Sequence, residues 1–144
     1  MGSERLTEEL VASIVGAASP EAYLACGQTL DRDLPDYLAG LLARSGMTRA
    51  QAIRRAGLGA TFGYQVFQGT RRPGRDHAIM LALGLGCDLR ETGRLLRLAG
   101  ASQLSPKCAR DAVVIWCVSH GLDRERTDDE LWRLGERTLL DAGR

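Results

Sequence analysis

The sequence predicts an all-α protein, and three observations predict it. Apolar residues recur at helical spacing between the four prolines, Pro20, Pro35, Pro73 and Pro106, and each proline falls at a break in that pattern. No segment sustains the alternation of a strand. Residues that start and stop helices stand where the periodicity begins and ends.

Taken in order, residues 1–33 form an acidic N-terminal helical segment. Leu34, Tyr37, Leu38, Leu41 and Leu42 then follow the stripe of an amphipathic helix, with Pro35 in a first turn that needs no N–H from it. Thr48 is placed to cap a second, short helix that runs through Ala56 and ends at Gly57. A third runs from about Ala60 to Gln68 and stops at Gly69, after which Thr70-Arg71-Arg72-Pro73-Gly74 reads as a loop. Asp76 to Leu83 and Asp88 to Ala99 supply two more helices, the latter with Leu89, Leu95, Leu96 and Leu98 as apolar positions.

The rest looks like a copy at an offset of about 35 residues. Arg75-Asp76 opens one helix and Arg110-Asp111 another, and Gly86 corresponds to Gly121. After a one-residue shift, Leu95-Leu96-Arg97-Leu98 matches Leu131-Trp132-Arg133-Leu134. Residues 101–144 are therefore expected to form a helical hairpin stacked on the preceding one, with Trp116 and Trp132 as large fillers of the shared apolar face.

The 144 residues, 44% hydrophobic and 26% charged, suffice for a compact domain with an appended subdomain, and exclude wholesale disorder. The longest apolar run, Ala112 to Val118, has seven residues, too few for a membrane span. The start Met1-Gly2-Ser3-Glu4-Arg5 lacks the layout of a secretory signal, so a soluble cytoplasmic protein is expected. Cys26, Cys87, Cys108 and Cys117 form no CxxC pair and read as structural thiols, which with only His77 and His120 leaves no metal site and no cofactor in the expectation.

The net charge of +1 hides a segregated pattern. From Met1 to Asp36 seven acids face two bases, a net −5. From Tyr37 to Arg75 there are seven arginines (Arg44, Arg49, Arg54, Arg55, Arg71, Arg72 and Arg75) and no acid, a net +7. The remainder, with eleven acids and ten bases, is net −1. A basic patch in the middle of the chain suits a polyanionic partner. The acidic N-terminal block is a candidate mask for that patch.

The stretch Met47 to Pro73, MTRAQAIRRAGLGATFGYQVFQGTRRP, reads as a short helix, a glycine turn and a second short helix. Here the sequence resembles the lambda-repressor-like, or XRE, helix-turn-helix family over about Leu34 to Gly100. The resemblance rests on Leu38, Leu41 and Leu42, Met47-Thr48, Gly57-Leu58, Gly69 and the tail Gly69-Thr70-Arg71-Arg72-Pro73. It implies a five-helix DNA-binding domain over 34–100, double-stranded DNA as partner, a homodimer, and a role as a transcriptional regulator, a repressor in the first instance. Residue by residue, it puts Arg49 against a backbone phosphate and Ala60, Thr61, Tyr64 and Gln65 on the groove side of the recognition helix. Thr70, Arg71 and Arg72 follow and meet phosphates again. Gln65 is the best direct reader, because its amide can pair with an adenine edge.

Gly63 stands where the family has an aliphatic plug between the two helices. It permits either a closer helix approach or room for Phe62 or Phe67 to fold inward. These aromatics have two readings, core packing or an interface with a protein or with base edges. The alternative function is accordingly a protein-interaction or signalling adaptor on the same scaffold, with Phe62, Tyr64 and Phe67 among its contacts. An enzyme is not expected: Asp128-Asp129-Glu130 reads as a helix-capping run before Leu131, and neither histidine has a nucleophile pattern beside it.

Overall fold

The structure, a computed structural model, describes residues 3–25 and 33–140, with side chains from residue 8 in the first of these stretches. Cys26, Asp31 and Arg32, and the side chains of Glu4 and Arg5, lie outside the described residues. Among the described residues there are nine helices and no strand. No described helix is long and apolar enough to cross a membrane.

The chain divides into two units, Met1–Arg32 and Asp33–Arg144. The first contains α1 (Ser3–Gly16) and α2 (Pro20–Ala25). The second contains α3 (Leu34–Ser45), α4 (Arg49–Ala56), α5 (Ala60–Gln68), α6 (Arg75–Gly84), α7 (Leu89–Leu98), α8 (Ala109–Ser119) and α9 (Arg124–Arg133). Asp33 belongs to the second unit because its carboxylate accepts from the Asp36 N–H and caps α3. The division expected at 100/101 falls inside this unit.

The centre of the second unit is α6, in which every residue from Ala78 to Gly84 is buried. A short helix that is apolar on nearly all sides can only be a core helix. Against it lies α4, drawn close because Gly84 has no side chain: a Cβ there would sit 2.7 Å from the Ala56 amide nitrogen. Leu38, Leu41, Ile53, Val66, Leu95 and Leu96 complete the core around it.

The copied hairpin is present, with a stricter register than expected. Asp88 caps α7 and Asp123 caps α9, 35 positions on. Thr92 donates its hydroxyl to the Asp88 carbonyl at 2.7 Å, and Thr127 to the Asp123 carbonyl at 2.8 Å. Gly86 and Gly121 share a φ of +71°, and Gly100 and Gly135 have φ of +75° and +76°. No one-residue shift occurs: Leu96 corresponds to Leu131, both fully buried.

The two hairpins are tied by crossed ion pairs. Arg75 of the first forks onto Asp111 of the second at 3.0 and 2.7 Å, while Arg110 of the second forks onto Asp76 of the first at 2.8 and 3.0 Å. The remaining N–H groups follow the same rule. Arg75 donates to the carbonyls of Ser102 and Gln103, and Arg110 to those of Arg137 and Thr138. Exchanging the hairpins maps each contact onto its mate, so they pack about a local pseudo-twofold. Burial pulls the Asp111 pKa upward, but the Arg75 fork and the Ser105 N–H outweigh it and hold the carboxyl below its ordinary range.

Two expectations fail in this region. Trp116 and Trp132 do not fill the shared face; they are 49% and 77% exposed. Val114, Val118, Leu131 and Leu139 fill it instead, smaller side chains that suit two short helices packed closely. Asp128-Asp129-Glu130 is not a capping run, because α9 starts a turn earlier at its Asp123 cap. Asp128 is buried, pairs with Arg124 at 2.8 Å and accepts from the backbone N–H groups of Leu139 and Leu140, pinning the chain after α9.

Candidate nucleic-acid interface

The segment that carries the arginine block is built from local signals. Thr48 accepts from the Gln51 N–H while the Gln51 side chain accepts from the Thr48 N–H, a reciprocal box that fixes the start of α4. Gly57 ends α4 at a φ of +79°, a left-handed value that side-chain-bearing residues resist, and the chain turns through Leu58 and Gly59 into α5. Arg124 of α9 lies against that turn, at the carbonyl end of α4 where a cation is favoured.

Helix α5 has two distinct sides. Gly63, Val66 and Phe67 are buried, and Phe62 is half-buried with its ring 4.8 Å from His77. The aromatics therefore pack inward. Gly63 is occupied from the other side by Ile53, whose Cγ2 and Cγ1 would lie 2.6 and 2.7 Å from a Cβ at that position. Ile53 supplies the plug, and the close approach of α4 and α5 is its consequence.

The opposite side of α5 faces solvent. Thr61 is exposed, Tyr64 is 38% exposed and Gln65 is half-buried. Gln68, one further turn along the same stripe, is exposed too; it escaped the sequence reading, although its i+7 spacing from Thr61 marks it. The side-chain amide of Gln65 has no hydrogen-bond partner among the described residues. Its backbone carbonyl accepts from the N–H groups of Gly69, Thr70 and Arg71 and from the Thr70 hydroxyl, which ties the following loop to the helix end.

Arginines flank this stripe. Arg49 at the start of α4 holds its guanidinium 5.9 Å from the centre of the Phe67 ring, and Arg71 holds its own 5.6 Å from that of Phe62. Phe62 and Phe67 lie on opposite flanks of the exposed stripe, so their inward packing places one cation at each edge of it. Arg72, also exposed, leans instead toward Gly100 at the end of α7. The structure thus brings Arg49, Thr61, Tyr64, Gln65, Thr70 and Arg71 around α5, and Arg72, turned toward the end of α7, lines one groove with Arg71 and Gln68.

Pairing trims the arginine block. Arg44 pairs with Glu91 at 3.0 Å and Arg75 with Asp111, whereas Arg49, Arg54, Arg55, Arg71 and Arg72 have no carboxylate partner among the described residues. The described residues hold no cluster of three or more metal-ligating side chains. No protein-family model matches the chain, and neither the curated proteins nor the solved structures contain a match to it.

Proposed function

We propose that this protein is a DNA-binding transcriptional regulator, a repressor acting as a homodimer, in which α4 and α5 form a lambda-repressor-like helix-turn-helix and α5 enters the major groove. One observation carries the reading: the polar stripe of α5, with Thr61, Tyr64 and Gln68 exposed and Gln65 half-buried, lies between two arginines that have no carboxylate partner among the described residues. Arginine forks suit phosphate oxygens and set register, while Gln65 and Gln68 carry amides of the kind that pair with an adenine edge. In a dimer, two such helices about 34 Å apart enter successive turns of one groove. The adaptor reading loses one of its contacts, since Phe67 is 3% exposed, while Tyr64 remains exposed.

Electrophoretic mobility shift with genomic fragments over a salt series tests the proposal. If the unpaired arginines neutralise about five phosphates per copy, the log affinity of the dimer falls with log salt at a slope near −9. Arg71→Ala weakens binding to every sequence and flattens the dimer's slope by about 2, one for each copy, whereas Gln65→Ala costs about 1–3 kcal/mol at one base pair per half-site and leaves the slope alone. No binding at 50 mM salt overturns the proposal.

A further inference from the structure

The pseudo-twofold between the C-terminal hairpins makes the outer face of α6–α7 and the outer face of α8–α9 equivalent surfaces, yet they are treated differently. The first is covered by the α3–α4 side of the unit: Leu81 and Leu95 are fully buried, and α4 backbone lies on Gly84. On the second, Trp116 stands in the place of Leu81, Ser119 in that of Gly84 and Leu134 in that of Ala99, and all three are exposed. Ala112, Val113, Trp116 and Leu134, with Glu130 and Arg133 at the rim, line an open groove of about 340 Å³. An exposed tryptophan beside leucine within a charged rim is the composition of an interface centre. The indole is also held ready. His120 stacks on it at 4.0 Å, and the His120 Nδ1 lies 2.8 Å from the Trp116 carbonyl oxygen.

We infer that the α8–α9 groove is the contact between two copies of this chain, packed face to face about a twofold axis. The groove is self-complementary in charge: its rim carries one acid and one base, Glu130 and Arg133, 2.7 Å apart on α9, and a twofold axis passing between them sets Glu130 of each copy against Arg133 of the other. A basic or acidic partner would find half of that rim repulsive. None of the lining residues comes from α4, α5 or the loop after α5, so the contact leaves the proposed DNA surface open. The inference rests on the homodimer proposed above and gives it a contact surface; it needs no DNA, so a failure of DNA binding leaves it standing.

Sedimentation velocity on the full chain without DNA, from about 2 to 200 µM, tests it. The weight-average mass rises with concentration from the 15.6 kDa of the monomer toward twice that value. Trp116→Glu abolishes the rise, with far-ultraviolet circular dichroism unchanged. Glu130→Arg alone weakens association at least tenfold, and adding Arg133→Glu restores it to within about threefold. Folding does not confuse this pair, since both positions are on the protein surface. A wild-type chain that stays monomeric at 200 µM overturns the inference. So does a dimer that Trp116→Glu and Glu130→Arg leave intact, or a charge reversal that restores nothing.

Discussion

Gly63→Ala separates the packing account of α4 and α5 from a simple propensity argument. Alanine in place of a helical glycine favours the helix by about 0.5–1 kcal/mol, so propensity alone predicts a more stable protein. The structure predicts the reverse. The new methyl group would meet Cγ2, Cγ1 and Cδ1 of Ile53 at 2.6, 2.7 and 2.9 Å, that is, every branch of the side chain. Rotating a β-branched residue replaces one branch by another, so relief requires α4 and α5 to move apart, and overpacking of this kind costs about 1–3 kcal/mol. The net expectation is a loss of about 1 kcal/mol, or roughly 4 °C in Tm for a unit of this size. The assay is a double-mutant cycle by urea and thermal unfolding with Ile53→Ala as the second change. Ile53→Ala alone costs about 2–5 kcal/mol for the cavity it leaves. In that background Gly63→Ala becomes stabilising, because the methyl group now fills space and keeps its helical advantage. A stabilising Gly63→Ala in the wild-type chain, or the same sign in both backgrounds, refutes the reasoning.

The crossed ion pairs make a second prediction: Arg75→Met strands the Asp111 carboxylate and costs about 3 kcal/mol by denaturant unfolding, while Arg75→Met with Asp111→Leu costs clearly less. Because the Asp111 carboxyl titrates below its ordinary 3.8, its contribution is full above that value and drains as pH falls through the lower, folded one; Asp111→Asn flattens the acid limb of a stability–pH curve. Thr48→Ala removes one half of the α4 capping box and costs about 1 kcal/mol, and Thr48→Ser recovers most of it. In a Cys26→Ser background at pH 8, a thiol reagent labels the exposed Cys108 quickly. Burial pushes the Cys87 thiol up to about 12 and raises that of Cys117, so both react at the rate of unfolding rather than at a free thiol's rate.

Helix ends were the most legible part of the sequence, because caps are local. Thr48, Gly57, Gly69 and Pro35 act through neighbours within about four positions, and each sits where the residue pattern put it. Facing relations were less legible. The repeat was matched one residue out of register by pairing Leu95-Leu96-Arg97-Leu98 with Leu131-Trp132-Arg133-Leu134, which rewards look-alike side chains. The backbone follows Thr92 with Thr127 and Gly100 with Gly135, residues whose hydrogen bonds and φ angles admit less choice. Trp116 was misplaced for another reason: its size fits a core, but it stays exposed where its counterpart Leu81 is fully buried beneath α4. Asp128 looked like a cap because three acids in a row favour a helix start. It is buried instead among partners 4, 11 and 12 positions away, the last two too far for local pattern to reveal.

Charge shows where local reading stops. Seven arginines in an acid-free stretch suggest a basic patch of seven, and no acid within the stretch argues otherwise. The acids that neutralise Arg44 and Arg75 come from Glu91 and Asp111, outside it, and Asp111 reaches Arg75 only because a copied helix returns to the same place. The duplication itself selects which arginine is structural. Arg75 is the one member of the block with a counterpart in the copy, Arg110, and each of the two neutralises the acid next to the other. An Arg-Asp step that occurs twice at equal spacing is thus a sign of a crossed pair, and its arginine should be subtracted before a patch is counted. What remains near α5 is a smaller site, Arg49 and Arg71 braced by two inward aromatics. In the proposed function a site of that size covers a short half-site and calls for a second copy to complete it, which is the demand that the proposed contact at α8–α9 would meet.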